Sequence, residues 1–288
     1  MHRLSQLQRL ALAWLGAALG ALAAGCVAMA PATSGVQRLY VLYCGEAQIP
    51  DVSPWSPGVN VGQAAVFSVN CYLIRHGTEW MLWDSGYADS LVEKPEGIVG
   101  PRSRALRSKT LVSQLAEIGV APNQLSRLAF SHFHGDHVGN ADLFSTATLY
   151  IQKPEYDAAF GAEPAKYGFA PATYERLRAS RIVKLEGDFD VFGDGSVRIL
   201  STPGHTPGHQ SLLVRLPVTG VVVLSGDAAH FEENFAQRRV PGFNFDKEQS
   251  VQSMDKLDRI VRSERAQLWI NHDSRQNASV DHAPKFYP

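Results

Sequence analysis

Residues 130–140 read FSHFHGDHVGN, which places three histidines and an aspartate within the six positions from His132 to His137, in a chain of 288 residues with 10 histidines in all. The preceding LSRLAF is an apolar run of the kind that makes a buried strand, and Gly139-Asn140 is a turn signal, so the cluster occupies a loop at a strand exit. Alternate residues of a strand share a face. His132 and His134 can therefore aim at one point, while Asp136 and His137, past Gly135, can turn toward a second point nearby. Neutral imidazole with carboxylate is a donor set for zinc and its divalent neighbours, and an open position on such an ion turns water into a nucleophile near neutral pH. A single isolated histidine is usually just solvated; four donors at this spacing after an apolar strand point to metal.

Further ligands must then come from elsewhere, and three candidates occupy strand ends like the first. His205 lies in STPGHTPGHQS after the run VRIL, Asp227 follows VVVLSG, and His272 follows QLWIN. Taken singly, each has a plain explanation as part of a Pro-Gly turn, a capping carboxylate or a surface imidazole. Their joint placement at C-terminal strand ends favours a shared site.

The chain is long enough for one large domain, and 45% hydrophobic with 19% charged residues is ordinary for a globular enzyme. A formal net charge of -1, with no block of Lys or Arg to track a phosphate backbone, speaks against nucleic acid as a partner. The first residues differ from the rest. MHRLSQLQR is a basic start, and LALAWLGAALGALAAG is an apolar run that ends at Cys26, shorter than the roughly 20 residues of a spanning helix. We expect residues 1–25 to be a signal peptide, 26–35 a linker and 36–288 the single folded domain. LAAGC resembles the bacterial lipoprotein box, in which the cysteine is lipidated. Cleavage after Ala-Met-Ala at 28–30 is the competing reading, and either one places the mature protein outside the cytoplasm, in the first case in the periplasm and attached to a membrane through Cys26. Cys44 and Cys71 lie in strand-like runs and are expected to be buried free thiols.

After residue 36 the pattern alternates. RLYVLYCG, AVFSVNCYLI and EWMLWDSG read as strands, the last two as a hairpin across His-Gly-Thr. KTLVSQLAEIG places Leu111, Leu115 and Ile118 on one helical face, with Gly119 at the stop. Residues 154–181 read as helical with interruptions. RIVKLEG, VFGDGSVRIL, HQSLLVRL and GVVVLSGD read as a second group of strands, DKEQSVQSMDKLDRIVRSE as an amphipathic helix, and AQLWINHD as a final strand. Two sheets packed face to face with helices outside follow from that order, an α+β architecture.

HFHGDH, TPGHTPGHQS, SGDA and NHD, in this order and together with WDSG at 83–86, resemble the successive motifs of the metallo-β-lactamase superfamily over roughly residues 38–275. The resemblance implies an αββα sandwich with a dinuclear site at one edge between the sheets. It assigns His132, His134 and His205 to one metal, Asp136, His137 and His272 to the other, and Asp227 to a bridge between two divalent ions, zinc foremost. Asp84 would orient ligands, and His209, which matches no ligand position, would be a hydrogen-bonded structural histidine.

Fold alone does not decide the reaction. Only 16 residues follow His272 (288 minus 272), too few for the helical domain of glyoxalase II type enzymes. The bridging aspartate argues against a true β-lactamase, and the near-neutral charge against a nuclease. TPGHTPGHQSLLV, HFEENF and VPGFNFDKEQSVQSMDKL are similar to the quorum-quenching N-acyl-homoserine lactonases, which implies opening of a lactone ring by a hydroxide shared between the metals, with Asp136 or Asp227 shuttling the proton. Where that family carries a tyrosine three residues after the bridging aspartate, this chain has His230, a candidate donor to the oxyanion. An acyl chain needs an apolar cleft, for which the stretches around Trp55 and around Phe160, Tyr167 and Phe169 are candidates. A phosphotriester or aryl-ester hydrolase of the same fold is the alternative, and an envelope lipoprotein that binds metal without turnover is a third reading, weakened by the complete ligand set.

Overall fold

Two long strands, β1 (Val36–Ile49) and β2 (Ala65–His76), pair antiparallel from Val36↔His76 to Ile49↔Ala65. The Gly77 turn, with φ 56° at the glycine, folds β3 (Glu79–Trp83) back on β2 as the expected hairpin. The computed structural model describes residues 35–288, which belong to one unit, Thr33–Pro288. The expected signal peptide, Cys26 and all of the expected linker but Gly35 lie outside the described residues.

Short strands β4 (Ile98–Val99) and β5 (Arg104–Leu106) extend the sheet beyond β1. On the other side β6 (Arg127–Ala129), β7 (Thr148–Gln152) and β8 (Ile182–Leu185) run parallel, so the sheet has eight strands in the order β4-β5-β1-β2-β3-β6-β7-β8. RIVKLEG, read from sequence with the second group, is β8 and belongs here. A run of that length does not reveal its sheet; the helical crossover before it carries the chain back beside β7 in parallel. The second sheet has five strands: β9 (Phe189–Asp190), β10 (Val197–Ser201), β11 (Gln210–Leu216), β12 (Gly220–Leu224) and β13 (Gln267–Trp269), in the order β13-β12-β11-β10-β9.

The α-helices are α1 (Leu111–Glu117), α2 (Gly135–Val138), α3 (Lys153–Ala159), α4 (Glu232–Gln237), α5 (Lys247–Glu264) and α6 (Ser274–Asn277). Thr110 and Asp246 cap α1 and α5 by accepting the N–H groups of Ser113 and Gln249. The expected helical stretch 154–181 is continuous only to Ala159. Prolines then open 3-10 turns at Pro164 and Pro171, and Gly168 in the left-handed region ends the first of them.

Side-chain alternation sets the layers. Met81 and Trp83 of β3, Leu212 and Val214 of β11 and Val222 and Leu224 of β12 meet between the sheets. Leu82 turns outward to pack with Leu111 and Leu115 of α1, and Leu213 and Val223 turn outward onto Leu257 of α5. The result is the four-layered αββα sandwich. Because both faces of these strands are buried, their sequences read as continuous apolar runs rather than alternations.

The expectation of free thiols is overturned, since Cys44 and Cys71 form a disulfide with Cα atoms 5.8 Å apart. The pairing of β1 and β2 shifts register between Tyr43 and Gly45, a bulge at Cys44, and the regular partner of Cys71 is Leu42. The irregularity re-aims the Cys44 side chain, which strand patterns in sequence do not foretell.

Candidate active site

Five strand exits converge on one edge of the sandwich. Asp84 follows β3, the His132–His137 cluster follows β6, and His205, Asp227 and His272 follow β10, β12 and β13. Asp227 divides the donors between its two oxygens. Oδ2 lies 3.8 Å from His132 Nε2, 3.4 Å from His205 Nε2 and 3.2 Å from His230 Nε2. Oδ1 lies 3.3 Å from His137 Nε2 and 3.1 Å from His272 Nε2. His134 Nδ1 joins the first group, 2.8 Å from His132 Nε2 and 3.1 Å from His205 Nε2. Asp136 Oδ2 joins the second, 3.6 Å from His272 Nε2 and 3.9 Å from His137 Nε2.

The outward ring nitrogens are held from behind. Nδ1 of His137 donates to Asp84, Nδ1 of His272 to the Ser68 carbonyl, Nε2 of His134 to the Tyr167 carbonyl and Nδ1 of His205 to Asn244 Oδ1, at 2.9–3.0 Å. Asp84 also accepts the Ser131 N–H at 2.6 Å and its hydroxyl at 3.0 Å, which fixes the first residue of the cluster loop. In the neutral rings each inward nitrogen therefore presents a lone pair. His134 faces His205 with lone pair to lone pair, and His137 and His272 face a carboxylate oxygen. His137 Nε2 and Asp227 Oδ1 are buried without a hydrogen-bond partner. Converging acceptors of this kind need positive charge between them, which divalent cations supply.

The electrostatics agree. Burial holds His132, His134 and His205 below the ordinary imidazole value, in the neutral form that binds metal. Burial also pulls on His137 and His272, but Asp227 and its neighbouring carboxylates outweigh it and raise both, a sign of how strongly this half of the site draws cations. Burial would raise Asp227, yet His272, His137 and the other rings win and keep it ionised.

His209 stands behind the donors, as expected for a structural histidine. Its Nε2 accepts the Asp227 N–H at 2.9 Å. Gly226, at φ 54°, allows this approach, because a Cβ there would lie 2.7 Å from His209 Nε2.

A cavity of about 590 Å³ opens over the cluster. Trp55 and Tyr167 line it as expected, whereas Phe160 and Phe169 do not. Both are buried in the core, 8% and 3% exposed, against Phe133. The left-handed turn at Gly168 sends Phe169 inward while Tyr167 stays at the rim. Phe67, Tyr87, Arg102, Phe243 and Phe245 also line the cavity and were not found from sequence. A signal existed for three of them. Tyr87 directly follows Trp-Asp-Ser-Gly, and both phenylalanines lie in VPGFNFD. Phe67 gave none within its apolar strand, and its ring packs edge-on to Trp55 at 5.1 Å.

Residues 64–262 match the family model described as the metallo-beta-lactamase superfamily. The chain belongs to that superfamily. Over 260 residues this superfamily member is 30% identical to the N-acyl homoserine lactonase of Bacillus cereus, spanning 87% of this chain and 99% of the relative. It is also 30% identical to the N-acyl homoserine lactonase AttM of Azorhizobium caulinodans over 265 residues, 87% of this chain and 98% of that one. A solved N-acyl homoserine lactone hydrolase, with the product N-hexanoyl-L-homoserine bound at its catalytic metal center, superimposes with a TM-score of 0.75 at 29% identity, over 88% of this chain and 100% of that one. Superfamily membership and the donor set together make the chain a hydrolase that uses divalent metal, with zinc the ion its nitrogens and carboxylates suit best.

Proposed function

We propose that the chain opens the ring of N-acyl-homoserine lactones and that it does so with two divalent ions. His132, His134 and His205 would hold one, Asp136, His137 and His272 the other, and Asp227 both. The observation that carries this reading is the match over nearly the whole length of N-acyl homoserine lactonases, one of them solved with product at its metal center.

Bound divalent ions supply activated water at neutral pH and Lewis-acid polarisation of the lactone carbonyl. The chain's own residues do the rest. Trp55, Phe67, Tyr167 and Phe243 offer apolar faces to the acyl chain. His230, whose Nε2 lies 3.2 Å from Asp227 Oδ2 and which lines the cavity, would donate from that nitrogen to the carbonyl oxygen as charge develops on it. Asp136, about a quarter exposed, would pass a proton to the departing ring oxygen as the acyl C–O bond breaks, leaving a carboxylate and a free hydroxyl. Turnover of a panel of acyl-homoserine lactones against phosphotriesters and aryl esters tests the reading. Preference for the lactones supports it, and a phosphotriester preferred to every lactone overturns it.

Export belongs to the same reading. Removal of residues 1–25 and lipidation of Cys26 would put the enzyme on a membrane facing the periplasm, and a Cys44–Cys71 disulfide suits that oxidising compartment.

A further inference from the structure

We propose that Glu155 is a positioning residue of the active site, its carboxylate tying the loop that carries His132 and His134 to the loop that carries His205. The inference rests on the reading that these three histidines hold one metal ion.

Glu155 lies in the first turn of α3 and is 1% exposed. Its Oε1 accepts the N–H of Phe133, the residue between the two histidines, at 3.0 Å. Its Oε2 accepts the N–H of Gly208 at 2.8 Å. The Thr206 hydroxyl, one residue past His205, donates to the carboxylate at 2.8 Å to Oε2 and 3.0 Å to Oε1. One carboxylate thus meets donors from both ligand loops, and across the gap they define, His134 Nδ1 and His205 Nε2 stand 3.1 Å apart.

The packing is built for this contact. A Cβ on Gly208 would come within 2.4 Å of the Glu155 nitrogen and 2.7 Å of its Cβ, so the second glycine of TPGHTPGHQ is what lets the loop reach α3. Burial raises the Glu155 carboxyl to about 7, opposed by the Gly208, Thr206 and Phe133 hydrogen bonds. Replacing a buried carboxyl by a well-packed apolar side chain is often neutral or stabilising, so stability alone does not account for a glutamate here.

Glu155→Gln keeps the volume but must point an NH2 at one of the two backbone N–H groups, which releases one loop. The test uses zinc-loaded full-length protein, a chromogenic chelator, thermal unfolding, and kcat and KM on a lactone. Leu216→Ala, a core truncation at the far end of β11 from the His205 loop, serves as a control for general destabilisation. Expected for Glu155→Gln is zinc release at least ~10-fold faster than wild type, with kcat lowered and KM little changed. Leu216→Ala lowers the unfolding temperature but releases zinc at the wild-type rate. Should Glu155→Gln fail to fold, Thr206→Val, which removes one donor and no charge, is expected to speed release in the same direction by a smaller factor. Release at the wild-type rate, or no faster than in Leu216→Ala, overturns the positioning role. A wild-type chain that takes up no zinc overturns the metal reading together with it.

Discussion

The backbone N–H of Asp227 donates to Nε2 of His209 across 2.9 Å, while Nδ1 of the same ring donates to the Thr202 carbonyl at 3.0 Å. The ring is thereby fixed as the neutral Nδ1–H tautomer, and it anchors the residue whose oxygens divide the site.

Burial lowers His209 to about 4, from an ordinary 6.5. Between these values the unfolded chain binds a proton that the folded chain does not, so this group's contribution to stability rises with pH across the window and is lost as pH falls from 6.5 toward 4. Its full size is about 3 kcal/mol. His209→Gln should start less stable at pH 7 and lose less on acidification than wild type, in thermal unfolding scanned from pH 7 to 4. Parallel losses would refute the assignment.

His230 lines the cavity beside Asp227. Its Nδ1 is buried without a partner, its ring stacks on His272 with centroids 5.3 Å apart, and burial holds it below the ordinary imidazole value, hence neutral. Loss of one oxyanion donor costs about 10²- to 10³-fold in turnover, and less where a metal shares the oxygen. We expect His230→Ala to lower kcat on acyl-homoserine lactones by roughly 10- to 100-fold with zinc content unchanged, and His230→Tyr to keep substantial activity. Unchanged kinetics in His230→Ala would remove the residue from the mechanism.

Cys44 and Cys71 close a loop with a sequence separation of 27. Cross-linking a loop of this length restricts the unfolded chain by about 3–4 kcal/mol. The Cys44→Ser/Cys71→Ser double variant should unfold at a lower urea concentration than wild type by a corresponding amount, and coincident midpoints would deny the bond any role in stability.

The proposed lipidation of Cys26 is open to a test in cells. Wild type should fractionate with membranes and Cys26→Ser should not. Equal membrane association of the two would favour soluble export.

The donors were legible in the sequence because each follows a continuous apolar run. Such runs end where polar residues take over, and the fold brings those strand exits to one edge of the sandwich. The bulge at Cys44 was hidden, since register depends on the partner strand and not on local pattern. Tyr167 and Phe169 look equivalent in sequence, and only the left-handed Gly168 between them sends one to the cavity and one to the core. Glu155 was invisible for a related reason. An acidic residue in a first helical turn is the commonest of placements, and its partners lie 22 to 53 positions away.

Hydrolytic opening of an acyl-homoserine lactone at this site can be read from turnover in ¹⁸O-enriched water. The zinc-loaded enzyme acting on N-hexanoyl-homoserine lactone is predicted to give N-hexanoyl-homoserine with one ¹⁸O in its carboxylate and none in its hydroxyl, at a rate that falls in Asp227→Ala. Label in the hydroxyl, or no product above the uncatalysed rate, would rule out lactone hydrolysis by carbonyl attack at this site.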